Sequence, residues 1–128
     1  MLSIETISWP FLRILFLNFK PQKGLRPMLV YTVGTFDLLH VGHLALLNYC
    51  KALGDTLAVG VASDDVVRMY KPNIPVVPLE QRMEMLLALT CVDIVRPYHE
   101  LEYVSGCKAL NIDIFVIGED WGSKPHNL

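Results

Sequence analysis

The stretch LVYTVGTFDLLHVGHLALLNYCKALGDTLAVGVA, residues 29–62, contains one complete strand–helix–strand unit. Leu29 to Val33 is a short apolar, β-rich run closed by Gly34, which reads as a buried strand. Val41 to Leu53 places Leu44, Leu47 and Leu53 at helical spacing and stops at Gly54, a residue suited to follow a helix. Thr56 to Ala62 is a second strand, nearly continuous in apolar residues. Such strands are buried on both faces, as in parallel sheets whose crossover helices cover each side.

Downstream the alternation continues. A polar, proline-punctuated loop is expected from Ser63 to Pro78, a helix from Leu79 to Leu89 and a short strand from Val92 to Val95. Glu100 to Leu110 reads as another helix, and Asp113 to Ile117, closed by Gly118, as the fourth strand. The order implies a Rossmann-like three-layer α/β/α fold with a parallel sheet, spanning residues 28–128. Upstream, Lys20 to Pro27 combines two prolines, a glycine and three charges, which reads as a linker. Residues 1–27 are therefore expected to be an N-terminal extension and linker, with either an amphipathic appendage there or a true start at Met28.

Composition excludes several classes. The 128 residues are 52% hydrophobic, enough for a full core. Lys and Arg number 11 against 13 Asp and Glu, so the basic balance expected of a nucleic-acid partner is missing. Ile7 to Phe19 is apolar but holds Pro10, Arg13 and Asn18 and is shorter than the ~20 residues of a membrane span. No basic region precedes it as a secretory signal requires, so a cytoplasmic protein without a membrane span is expected. Cys50, Cys91 and Cys107 form no CxxC pair and fit buried thiols in a reducing compartment.

In open α/β sheets, ligands bind beyond the carboxyl ends of the strands. Two loops stand there: Gly34 to His43, and Gly118-Glu119-Asp120-Trp121. His40 and His43, three apart at a helix entry, fall on one face. Gly34 lets the chain leave the strand, and Gly42 removes a side chain where a ligand approaches. Helix-start amides and the macrodipole favour an anion, to which two imidazoles add proton-bearing donors. Phosphate chemistry without a covalent enzyme intermediate is the reading. The alternatives are structural histidines or a metal pair; Asp37 is near, but no standard zinc spacing forms and no metal site is assigned.

The decapeptide GTFDLLHVGH resembles the HxGH signature of the nucleotidyltransferase superfamily in its cytidylyltransferase-like branch, and is most similar to the glycerol-3-phosphate cytidylyltransferases. The likeness extends through Lys51 to Asp55, Ser63-Asp64-Asp65, Glu80-Gln81-Arg82 with Val92-Asp93, and Ile112 to Trp121, which resembles a stretch ending in GDDW. It implies transfer of CMP from CTP, with Mg²⁺, to a phosphorylated small alcohol, most directly glycerol 3-phosphate, with release of pyrophosphate. An adenylyltransferase, an ethanolamine-phosphate cytidylyltransferase and a non-catalytic nucleotide-binding relic are the competing readings.

The resemblance implies catalytic roles for His40 and His43 at the triphosphate. Gly34, Thr35, Phe36, Gly42 and Asp120 would help form the nucleotide site. Asp37, Lys71 and Arg82 would meet the substrate or its phosphate. Lys71 and Arg82 read alternatively as solvated charges, Asp120 as a turn or cap residue, and Trp121 as packing. The family forms dimers, which implies a homodimer, but Thr90-Cys91 stands where the family carries an arginine. The family also continues into a further strand and an RTxxISTT loop that holds triphosphate. No such segment occurs by Leu128, so the domain is expected to be C-terminally truncated and weak in nucleotide binding.

Overall fold

Successive residues of a strand face opposite sides of its sheet, and in the central strands of this chain both sides are apolar. The structure, a computed structural model, describes residues 3–9, 12–18, 27–70, 74–99 and 110–118. The strands are β1 (Ser3–Trp9), β2 (Leu12–Asn18), β3 (Leu29–Gly34), β4 (Thr56–Ala62), β5 (Ile94–Tyr98) and β6 (Ile114–Gly118). The helices are α1 (Val41–Ala52), α2 (Asp64–Tyr70) and α3 (Leu79–Leu87). One sheet runs in the order β1-β2-β6-β3-β4-β5. Its β6, β3, β4 and β5 are parallel, as expected for a Rossmann-like fold.

Val30, Val59 and Val116 face one cluster with Leu47 and Cys50 of α1 and Leu86 of α3. Tyr31, Ala58 and Phe115, one residue along each strand, face a second cluster with Val66 and Val67 of α2. The sheet therefore has a core on each side, and the three-layer arrangement follows. Burial pushes the Cys50 thiol up to about 12, so it stays protonated. No helix among the described residues is long and apolar enough to cross a membrane.

The stretch 63–78, expected to be loop throughout, contains α2. Ser63 starts it: its Oγ accepts the Val66 N–H at 3.2 Å, and Asp64 and Asp65 occupy the positive first turn. β5 begins two residues later than expected and includes Pro97, which the edge of a sheet tolerates. Gly54 has no positive φ; it sits where a Cβ would lie 2.8 Å from Val30 Cγ2. Residues 3–9 and 12–18, read from sequence as lying outside the domain, form β1 and β2, which pair antiparallel, and β2 pairs antiparallel with β6 from Ile14↔Gly118 to Asn18↔Ile114. Of the expected helix from Glu100, residues 100–109 lie outside the described residues.

Aspartates pin the amino ends of the central strands. Asp55 accepts the Met28 N–H at 2.6 Å, Asp113 the Leu29 N–H at 2.8 Å and Asp93 the Leu57 N–H at 2.8 Å. Lys51 Nζ donates to Asp93 at 2.6 Å, and this bond, ahead of the Leu57 amide, holds the Asp93 carboxyl below its ordinary 3.8. A depressed pKa contributes stability that is complete above the unfolded value and lost as pH falls through the folded one. Asp93→Asn should lower stability at pH 7 by about 0.5–1 kcal/mol, the exposure of the pair screening the rest. Urea unfolding at pH 7 and pH 3 should show the deficit shrinking at the lower pH. Deleting residues 1–27 should lower the thermal midpoint by uncovering the β6 ladder; an unchanged midpoint would show that the β1–β2 pair adds nothing.

Candidate functional site

β3 ends at Gly34 and β6 at Gly118, each two residues beyond the paired Thr32 and Val116, so both strands deliver their carboxyl ends to one side. Between Gly34 and α1 the chain turns through two non-glycine residues in the left-handed region, Phe36 (φ 54°) and Leu38 (φ 52°). Each such conformation costs about 1–3 kcal/mol and persists only where surrounding contacts hold it. Gly34 itself has no positive φ; it supplies space, since a Cβ there would lie 2.9 Å from the Phe36 ring. Phe36 is 4% exposed, packs in the cluster under α1 and α3, and lies 5.6 Å from the His43 ring, centroid to centroid.

His40 is the N-cap of α1, with extended backbone at φ −143° and ψ 179°. Its Nδ1 accepts the Gly42 N–H at 3.0 Å, while His43 Nδ1 accepts the His40 N–H at 3.2 Å. The two imidazoles thus form a reciprocal capping box, with ring centroids 4.0 Å apart. A nitrogen that accepts a backbone N–H carries no proton, so each neutral ring keeps its proton on Nε2. Two Nε2–H donors result, one on an exposed ring and one on a half-buried ring. No acidic side chain occupies the first turn of α1, so its positive dipole end is left for an anion. Gly42 makes room for His40: a Cβ there would lie 2.8 Å from His40 Cε1.

Arg82, on α3, is 1% exposed. Its Nε donates to Val77 O at 2.8 Å, Nη1 to Thr35 O at 2.8 Å and Ala62 O at 2.7 Å, and Nη2 to Asp64 Oδ1 at 2.6 Å. Asp37 accepts the N–H of Val77 on Oδ1 at 2.9 Å and that of Val76 on Oδ2 at 2.8 Å. The structure therefore gathers Gly34, Thr35, Phe36, Asp37, His40, Gly42, His43 and Arg82 at one end of the sheet. Lys71, Asp120 and Trp121 lie outside the described residues. Asp64 and Val77, not singled out from sequence, join the site as partners of Arg82. Asp64 entered the sequence reading only within the Ser63-Asp64-Asp65 likeness, in a stretch expected to be loop, and nothing local marks a backbone carbonyl as an arginine acceptor. A groove of about 780 Å³ opens between the loop and α3, lined by Phe36, Leu38, Leu39, Val77, Arg82 and Met85 among others, with neither histidine in its wall.

Comparison with known proteins bears on the family and the fold. The chain is 42% identical over 97 residues to the bifunctional protein HldE of Helicobacter pylori (strain HPAG1), covering 75% of this chain and 21% of that protein. It is 46% identical over 89 residues to the FAD synthase of Thermococcus onnurineus (strain NA1), covering 68% of this chain and 59% of that protein. The chain thus spans about a fifth of the HldE relative and less than two thirds of the FAD synthase. A crystal structure of the lipopolysaccharide core biosynthesis protein from Thermoplasma volcanium GSS1 superposes with a TM-score of 0.65 at 32% identity, covering 69% of this chain and 71% of that one. A family profile described as cytidylyltransferase-like matches residues 31–127, across the histidine loop and all four parallel strands, and the chain belongs to that family of nucleotidyltransferases.

Proposed function

We propose that this chain supports nucleotidyl transfer to a phosphorylated small molecule. A phosphate oxygen of the acceptor forms a bond to the α-phosphorus of a nucleoside triphosphate, the α–β bridging bond breaks, and pyrophosphate leaves with its electron pair. The observation behind this reading is the reciprocal His40–His43 cap, which aims two Nε2–H groups away from the helix start. Donors fixed in advance strengthen their bonds as charge builds on the phosphoryl oxygens and need not reorganise in the transition state. Among the described residues no three His, Cys, Asp or Glu side chains converge on a metal position. Mg²⁺ is accordingly proposed to enter on the triphosphate, where it neutralises phosphate charge.

CTP with glycerol 3-phosphate is the substrate pair proposed from the GTFDLLHVGH and GEDW stretches. A second reading, ATP as nucleotide donor, is favoured by the likeness to a FAD synthase, whose named product contains adenine. In either case Asp120 and Lys71 are proposed to complete the nucleotide and phosphate contacts, and the acting unit is proposed to be a homodimer.

Pyrophosphate release, measured with CTP or ATP, Mg²⁺ and a panel of phosphorylated alcohols that includes glycerol 3-phosphate, should single out one pair; release with none of them removes the proposal. His40→Ala and His43→Ala should each lower kcat by about 10²–10³-fold while far-UV circular dichroism stays native. Gly42→Ala separates chemistry from folding. Alanine favours a helix over glycine by up to about 1 kcal/mol, yet its methyl displaces the His40 ring. Stability should hold or rise while kcat falls at least about tenfold. A fall in both would show that the glycine serves folding alone.

A further inference from the structure

We infer that Asp37 and Arg82 are positioning residues that clamp Val77 from both sides and thereby hold the turn presenting the histidines. The inference rests on the nucleotidyl-transfer reading and assigns these two residues a task within it. The Val77 N–H goes to Asp37 Oδ1 at 2.9 Å and the Val77 carbonyl to Arg82 Nε at 2.8 Å. The same guanidinium holds Thr35 O at 2.8 Å, two residues before Asp37 in the chain. Thr35, Arg82, Val77 and Asp37 therefore close a ring of hydrogen bonds around Phe36, the first of the two left-handed residues. The second, Leu38, follows Asp37 directly, and His40 begins its cap two residues later.

The direct alternative, in which both residues bind phosphate, meets two physical obstacles. Arg82 is buried, and its Nε, Nη1 and Nη2 already donate to protein oxygens. Asp37 is an anion, repelled by phosphate, and both its oxygens accept backbone amides. Each group is suited to fixing backbone: the guanidinium to oxygens, the carboxylate to N–H groups.

The test compares wild type with Asp37→Asn, Arg82→Lys and the double variant. Nitrogen–proton correlation spectra would follow the His40 and His43 imidazoles and the Val76 and Val77 amides, while kcat and KM are measured with whichever substrate pair the wild type uses. Asn keeps the size of Asp37 but presents an N–H₂ group to one of two amides. Asp37→Asn should shift the two amides and both imidazoles, and lower kcat by up to about 10²-fold. The acceptor KM should stay within about twofold. Because both residues act through one turn, the double variant should be little worse than the weaker single one. Unmoved imidazole signals with a raised acceptor KM would make Asp37 a substrate contact and overturn the inference, as would fully additive losses. Should Arg82→Lys fail to fold, Asp37→Asn decides, since Asp37 is only half-buried. A wild type that turns over no substrate defeats the nucleotidyl-transfer reading, and the spectra still decide whether Asp37 holds the turn.

Discussion

A guanidinium at 1% exposure is tolerable only where its donors meet oxygens, because desolvating the charge without partners costs several kcal/mol. Arg82 meets that condition with groups from four places in the chain: Thr35 after β3, Ala62 at the end of β4, Asp64 at the start of α2, and Val77 before α3. The guanidinium is planar and rigid, so it fixes the relative positions of those oxygens as well as attracting them. A lysine ammonium, a point charge on a flexible stem, supplies no such plane. The segments around the histidine turn are therefore ordered as one unit, and the turn inherits its shape from a side chain on a different element.

The chemistry of the two ends of a parallel sheet explains why the charges fall where they do. At the amino ends of β3 and β4 backbone amides need acceptors, and at their carboxyl ends carbonyls need donors. At the amino end the partners are carboxylates: Asp55, Asp113 and Asp93 accept from Met28, Leu29 and Leu57. At the carboxyl end the partner is Arg82, donating to Thr35 and Ala62. Asp55, Asp93 and Asp113 thus stand at the amino end, and the described aspartates at the histidine end, Asp37 and Asp64, are engaged by backbone amides and by Arg82. An anionic ligand approaching α1 meets imidazole N–H groups and a helix N-terminus, while the Asp37 carboxylate in the same loop is turned onto Val76 and Val77.

The fold was legible where a signal is local and repeated. Leu29 to Val33 and Thr56 to Ala62 announce buried strands because nearly every residue on both faces is apolar, and the structure places them in adjacent parallel register. α2 was hidden because Val66 and Val67, its buried apolar anchors among residues 64–69, are adjacent and show no period. The histidines were legible because their spacing at a helix entry lies within four residues; that they cap α1 was not. The partners of Arg82 and Asp37 were not, since Arg82 reaches a carbonyl 47 positions away and Asp37 an amide 40 positions away. Gly42 was read as room for a ligand, and the space is filled by the His40 ring, whose rotamer no sequence pattern discloses.

That ring placement joins helix initiation to chemistry. A serine or aspartate caps α1 as well as a histidine does, but neither leaves a second nitrogen bearing a proton on its far side. Using Nδ1 for the cap determines where the remaining proton sits and in which direction it points. The direction is then as fixed as the helix, and α1 is anchored to the sheet through the fully buried Leu47 and Cys50. Packing along α1 therefore steadies the donors at its start, and the loop before it shares in placing the imidazole pair. Through Phe36, Asp37 and Val77, that loop is tied back to Arg82.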